Sequence, residues 1–147
     1  MGARRKGREL AVQALYQIDA QGRASAEMLR LFWEQADAGE RAKEFAAALV
    51  VGVGEQRERI DQLIADASEH WRFERLSAVD LNVLRVATYE LLQRAAPTNV
   101  VLDEAIEIAR RFGTGESAVF VNGVLDHIAE QLGVKETAAS RNVPDDG

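Results

Sequence analysis

Hydrophobic residues recur every three or four positions along most of this chain, and that spacing places them on one face of an α-helix. The first helix is predicted to begin near Arg4, with Leu10, Ala14 and Ile18 on its apolar face. A second helix is predicted over about residues 25–36. The alternation of apolar and polar residues that indicates a β-strand is missing, so the pattern favours an all-helical protein.

The middle of the chain is predicted to contain a long helical stretch followed by a central helix. Apolar residues keep helical spacing over residues 40–71, and the sequence leaves open whether Gly52 and Gly54 kink or divide this stretch. The next helix is predicted over residues 78–93, with Ser77 as its N-cap. Hydrophobic residues cover most of its circumference, so we expect this helix to be central and buried.

Two more helices are predicted before the periodicity ends. Pro97 stops the central helix, and either Thr98 or Asn99 is predicted to cap the helix that follows. That helix should end at Gly113, and the last helix should cover about residues 116–132. The predicted fold class is therefore all-α, a bundle of six or seven helices with short connections.

Length and composition fit one domain with an ordinary hydrophobic core. The 147 residues are 47% hydrophobic and include no cysteine, which excludes disulfides and thiolate metal sites. We expect a single domain over residues 1–134 and a disordered tail over residues 135–147, where helical periodicity is lost. Neither a signal peptide nor a transmembrane run is recognisable, so a cytoplasmic location with no membrane contact is expected.

The charge of the chain is distributed unevenly. The first eight residues contain four cations and no acid, namely Arg4, Arg5, Lys6 and Arg8. Subtracting these four charges from the net charge of −6 leaves −10 for the remainder of the chain. A basic end on an acidic protein is typical of phosphate binding, although short charged termini are often only solvated. The charge pattern thus makes a nucleic acid one candidate ligand.

We find no set of residues that would support catalysis. The chain lacks the common nucleotide-binding, hydrolase and metalloprotease motifs, and His70 and His127 are too few for a typical zinc site. Asp103 and Glu107 lie one helical turn apart, but such a pair is usually a solvated helix face. The sequence therefore predicts a protein that is not an enzyme and that needs no metal or cofactor.

Several side chains could bind an unpaired RNA strand. Arg4, Arg5 and Arg8 share one helical face, and Gln13 and Tyr16 extend the same helix with groups that hydrogen-bond or stack on bases. In the last helix, Phe120 could stack on a base and Asn122 could bind a base edge. Three of them also have a structural alternative: Tyr16 and Phe120 could pack in the core, and Asn122 could cap a neighbouring loop.

Three stretches of sequence resemble the NusB family. The first covers residues 4–16 and ends in Ala-Val-Gln-Ala-Leu-Tyr, and the second covers residues 79–91. The third joins residues 103–113 to the run Phe-Val-Asn-Gly-Val-Leu-Asp at residues 120–126. Because the three occur in the family's order, the chain resembles this family over about residues 4–132.

The resemblance implies a fold and a function. The fold would be two packed three-helix subdomains. Family members bind boxA RNA of ribosomal RNA leader transcripts together with the ribosomal protein NusE, and join an RNA polymerase complex in transcription antitermination. By matched position, the RNA-binding candidates are Arg4, Arg5, Lys6, Arg8 and Phe120, joined by Gln13 and Asn122 from the residue analysis. The candidates for the partner surface are Tyr16, Asp80 and Glu116.

Two other interpretations remain at this point. NusB-like domains also occur fused to RNA cytosine methyltransferases, but 147 residues leave no room for a cofactor-binding α/β domain. The chain could instead be a helical protein-interaction module or a homodimer without specific RNA binding, in which the basic end contacts acidic protein. The sequence does not decide between a monomer and a homodimer.

Overall fold

A computed structural model describes residues 2–69 and 76–135, and every regular element in these ranges is a helix. The prediction of an all-α fold is therefore confirmed. The seven helices are α1 (Ala3–Gln21), α2 (Ala26–Gln35), α3 (Glu40–Glu55), α4 (Arg57–Ala67), α5 (Ala78–Gln93), α6 (Thr98–Phe112) and α7 (Ser117–Gln131). The predicted helix end at Trp71 and the predicted tail beyond Lys135 lie outside the described residues.

The long helical stretch in the middle of the chain is divided at Gln56 rather than at either glycine. α3 ends at Glu55 and α4 begins at Arg57. Gly52 lies within α3 against the ring of Tyr89 in α5, and a Cβ atom there would be 2.1 Å from Tyr89 Cζ. The absence of a side chain at Gly52 is thus what allows α3 to approach α5 so closely.

The prediction that α5 is central and buried is confirmed. Val83, Leu84 and Leu91 are almost fully buried, and α5 contacts α1, α3, α4, α6 and α7. The predicted N-cap is also confirmed, because the backbone N–H of Asp80 donates to Ser77 Oγ at 3.0 Å. Because five other helices pack against α5, most of its circumference is buried, and this burial includes the polar residues Asn82, Arg85 and Glu90.

The predicted cap of α6 is wrong. α6 begins at Thr98 with Pro97 as the N-cap residue, and neither Thr98 nor Asn99 caps it with a side-chain hydrogen bond. The Thr98 hydroxyl instead donates to the backbone oxygen of Val134 at 2.6 Å, which holds the segment after α7 against the start of α6. Sequence spacing did not reveal that the Thr98 hydroxyl would bond to the backbone oxygen of Val134, which lies 36 residues away.

One continuous hydrophobic core extends from α1 to α7. Buried residues of α1 and α3 join those of α4–α7 in a single cluster. α2 is different, because it contains no buried residue and contributes only the half-buried Leu29, Phe32 and Trp33 to the edge of the core. Among the first three helices, therefore, α1 and α3 supply the buried residues and α2 lies at the periphery.

Candidate nucleic-acid and partner interface

The start of α1 is held against α3 by a close helix crossing. A Cβ atom on Gly7 would lie 2.7 Å from Phe45 Cδ2 and 3.0 Å from the backbone oxygen of Ala42. Only glycine fits at this crossing without displacing α3. The cations that surround Gly7 are consequently presented from a packed helix and are not on a loose terminal tail.

Arg8 points into the protein. Its side chain is 2% exposed, and Arg8 Nε–H donates to both carboxylate oxygens of Glu90 at 3.0 Å. The guanidinium also lies over the ring of Phe45, 5.6 Å from its centroid. A phosphate cannot reach Arg8 in this structure, so we exclude it from the RNA surface that the sequence predicted. The reason is the position of Glu90, which lies 82 residues away in the chain.

The remaining three cations form a surface that we call the basic tip, consisting of Arg4, Arg5 and Lys6. All three side chains are partly exposed. Arg5 Nε–H donates to Glu104 Oε2 at 2.7 Å, which raises the pKa of Arg5 through the hydrogen bond and the charge of Glu104. The Arg5 side chain is 39% exposed, so its cation is both accessible and held in position.

Arg111 is a candidate RNA-binding residue that the sequence analysis missed. It lies in the last turn of α6, donates to both carboxylate oxygens of Glu9 at 3.1 Å, and keeps 55% of its side chain exposed. Its guanidinium also lies 5.2 Å from the centroid of the Phe112 ring. In the sequence, Arg111 is identifiable only as a cation close to the predicted helix end at Gly113. The contact with Glu9 places it beside α1.

Phe120 and Asn122 do not form one site. Both lie in α7, but two residues correspond to about 200° around a helix, so they occupy opposite flanks. Phe120 packs partly against the core. Asn122 lines a cleft of about 430 Å³ between α6 and α7 together with Asp103 and Asp126. The cleft also contains Lys135, which forms an ion pair with Asp126. Binding of a base edge by Asn122 stays a prediction.

A second surface lies farther along α1, and we call it the apolar groove. It has a volume of about 370 Å³ and is lined by Val12, Gln13, Tyr16, Gln17, Phe32, Val79 and Phe112. Tyr16 is 46% exposed and Phe112 is 36% exposed. Large apolar side chains gathered in an exposed concavity are typical of a binding site for another protein. Gln13, predicted to bind RNA, belongs to this groove.

The three predicted partner residues come from three different elements. Tyr16 lines the apolar groove directly. Asp80 lies in the first turn of α5 next to the groove residue Val79, and it is buried. Glu116 is exposed and is the N-cap residue of α7, in the connection that follows Phe112. Of the three, therefore, Tyr16 is the one that presents an accessible side chain to the groove.

Neither a cluster of metal ligands nor a membrane-spanning helix is found among the described residues. No group of three or more His, Cys, Asp or Glu side chains within residues 2–69 and 76–135 is arranged to hold a metal ion. In the same ranges, no helix has both the length and the apolarity to cross a membrane. A basic tip and an apolar groove that share residues of α1 are features typical of binding surfaces.

Comparison with known proteins identifies the family. A family model described as the NusB family matches residues 5–130. The transcription antitermination protein NusB of Sorangium cellulosum is 46% identical over 134 residues, covering 90% of this chain and 96% of the relative. The corresponding protein of Trichlorobacter lovleyi is 50% identical over 129 residues, covering 87% of this chain and 91% of the relative.

Solved structures agree with this assignment. NusB from T. maritima is similar with a TM-score of 0.78 and 39% identity, covering 95% of this chain and 97% of that one. A structure described as antitermination factors NusB and NusE in complex with dsRNA is similar with a TM-score of 0.77 and 27% identity, covering 88% and 97%. The relatives are named for transcription antitermination and not for a reaction. This chain belongs to the NusB family.

Proposed function

We propose that this transcription antitermination factor binds boxA-type single-stranded RNA through its basic tip and the ribosomal protein NusE through its apolar groove. The complex would then join RNA polymerase in the cytoplasm during transcription of ribosomal RNA. One observation carries the proposal: α1 contributes the whole basic tip and four of the residues that line the apolar groove. Lys6 and Tyr16 are ten residues apart, which is about 15 Å along the helix axis. A single rigid helix can therefore hold RNA and a protein partner side by side.

The RNA contribution of this chain is electrostatic and small. Arg4, Arg5 and Lys6 could contact two or three phosphates, and Phe120 offers a partly exposed ring on which a base could stack. Affinity for a single strand should then fall with salt at a log–log slope of about −0.7 per phosphate contact. The acidic remainder of the chain opposes indiscriminate binding of RNA.

The protein partner would supply the affinity that the basic tip lacks. Tyr16 and Phe112 present exposed aromatic rings at the groove, and such side chains commonly account for much of the binding energy of an interface. A partner seated there could add its own RNA contacts close to the basic tip. This arrangement predicts that selective RNA binding requires the heterodimer, and a solved relative contains NusB and NusE in complex with dsRNA.

The test is fluorescence anisotropy of labelled boxA-type RNA and a scrambled RNA of the same composition, with and without NusE. We expect selective binding that NusE strengthens. Arg5→Ala should weaken binding and make the salt slope shallower by about 0.7. Arg59→Ala is a matched control, because Arg59 is an exposed arginine of α4 and should leave the slope unchanged. Equal affinity for the two RNAs in the presence of NusE would contradict the proposal.

A second candidate function is a protein-interaction module or homodimer that binds no specific RNA. The apolar groove favours it, because the groove needs only a protein occupant. Light scattering across a range of protein concentrations would detect a homodimer. Under this alternative, neutralising the basic tip would leave RNA binding unchanged, whereas under the main proposal it would weaken RNA binding.

A further inference from the structure

Glu104 in α6 lies between two arginines of α1. Its Oε2 atom is 2.7 Å from Arg5 Nε, and its Oε1 atom is 3.8 Å from Arg8 Nη1. The Glu104 side chain is only 14% exposed, and Arg8 is itself anchored to Glu90. Ion pairs therefore connect Glu90 in the core with Arg5 at the surface, through Arg8 and then Glu104. These linked ion pairs hold the Arg5 side chain in one position, so it does not rotate freely.

The charge of Arg5 is also offset by its surroundings. Glu104 raises the pKa of Arg5 most strongly, and Glu107 and Glu9 add smaller contributions of the same sign. An exposed cation that already interacts with three carboxylates attracts a distant phosphate only weakly. The guanidinium has five N–H donors, however, and the hydrogen bond to Glu104 uses Nε–H. Arg5 can thus still donate to a phosphate that approaches in the correct orientation.

We propose that Glu104 is a positioning residue that makes RNA binding selective by orienting Arg5 and by offsetting its charge. This inference rests on the proposed RNA-binding function and deepens it. With Glu104 in place, a phosphate gains from Arg5 only when the rest of the strand is already aligned. Without the carboxylate, Arg5 becomes a flexible cation that attracts any phosphate. Selectivity between RNAs should fall even though total affinity rises.

Glu107 provides a control on the same helix. It lies one turn beyond Glu104, is about half exposed, and forms an ion pair with Arg110. Replacing either glutamate by glutamine changes the net charge by the same amount. Glu104→Gln removes the ion pairs with Arg5 and Arg8, and Glu107→Gln removes the ion pair with Arg110. Of these two glutamates, Glu104 is the one whose side chain is hydrogen-bonded to Arg5 of the basic tip. A difference between the two variants therefore reports positioning and not net charge.

The experiment measures anisotropy of boxA-type and scrambled RNA at several salt concentrations, using the full chain with NusE. We expect Glu104→Gln to raise the affinity for scrambled RNA about two- to fivefold, to raise boxA affinity less, and to steepen the salt slope for scrambled RNA by about 0.7. Glu107→Gln should change selectivity much less. Glu104→Asp keeps the charge but withdraws the carboxylate from Arg5, so it should reduce selectivity even if the glutamine variant fails to fold.

The outcomes separate this inference from the function on which it rests. If the wild-type complex binds boxA selectively and neither Glu104 variant changes selectivity or slope, the inference is overturned and the proposed function survives. Equal effects of Glu104→Gln and Glu107→Gln would overturn it as well, because net charge would then suffice. If the wild-type complex binds neither RNA selectively, both proposals are overturned. The double variant Arg5→Gln with Glu104→Gln should lose the gain in scrambled-RNA affinity, since Arg5 is the cation released.

Discussion

Arg8 of α1 and Glu90 of α5 form an ion pair inside the helical bundle, with Arg8 Nε 3.0 Å from both carboxylate oxygens. The two side chains are 2% and 6% exposed. This pair attaches the start of α1 to the central helix only a few residues from the basic tip. A cation that belongs to the basic run in the sequence is thus part of the support for the neighbouring cations.

Removing one member of this pair should be costly, because the other charge would stay buried without its partner. We expect Arg8→Met alone to lower the free energy of unfolding by about 3–5 kcal/mol. The combined change Arg8→Met with Glu90→Leu should cost clearly less than the sum of the single changes. Urea unfolding of the wild type, both single variants and the double variant measures this coupling. Strictly additive effects would mean that the pair contributes no coupling energy.

The close crossing of α3 and α5 gives a second prediction. Gly52→Ala should destabilise the protein by about 1–3 kcal/mol, because a new methyl group would overlap the Tyr89 ring. Gly54→Ala is the matched control in the same helix, with nothing within 4 Å of its added Cβ atom. It should stabilise the protein by about 0.5–1 kcal/mol through helix propensity. Thermal unfolding of both variants checks the pair, and equal melting temperatures would contradict it.

The free energy of unfolding should depend on pH in the acidic range, because of Asp19. Burial alone would raise the pKa of Asp19, but the hydrogen bond from Asn82 and the charges of Arg85 and Arg57 together lower it below its ordinary value of 3.8. A depressed pKa in the folded state contributes stability above the unfolded-state pKa. That contribution is lost as the pH falls from about 4 through the lower folded-state pKa.

The substitution Asp19→Asn removes the titrating group from this site. We expect the variant to be less stable than the wild type at neutral pH and to show a smaller loss of stability below about pH 4. Urea unfolding at a series of pH values measures both effects. An unchanged acid dependence in the variant would show that Asp19 does not contribute to it. Glu58→Gln, which alters an exposed carboxylate of α4, serves as the control.

The apolar groove predicts which side chains bind the protein partner. Tyr16→Ala and Phe112→Ala should each weaken NusE binding by about tenfold or more, since truncating a central aromatic residue of an interface commonly costs over 1 kcal/mol. Val51→Ala is the control, because Val51 is 60% exposed on α3 and lies outside the groove. Isothermal titration calorimetry gives the dissociation constants. A larger effect at Val51 than at Tyr16 would place the partner on a different surface.

The sequence by itself determined the helical fold, the approximate positions of the helices and the identity of the central helix. Helical periodicity and the Ser77 cap are local properties, because they depend on residues only three or four positions apart. The distribution of apolar residues around α5 is also a local pattern, and it identified α5 as the central helix. Matched sequence motifs also indicated the family, and they placed Tyr16 on a surface where the structure shows an exposed ring.

Only the tertiary structure decided which of the predicted side chains can act together. Arg5 and Arg8 share a helical face, yet Arg8 is buried and Arg5 remains accessible, because their carboxylate partners come from α5 and α6. The structure also brought Arg111 beside α1 and separated Asn122 from Phe120. Sequence spacing specifies the direction of a side chain around its own helix. Burial and charge pairing depend on what packs against that helix, and those neighbours lie far away in the chain.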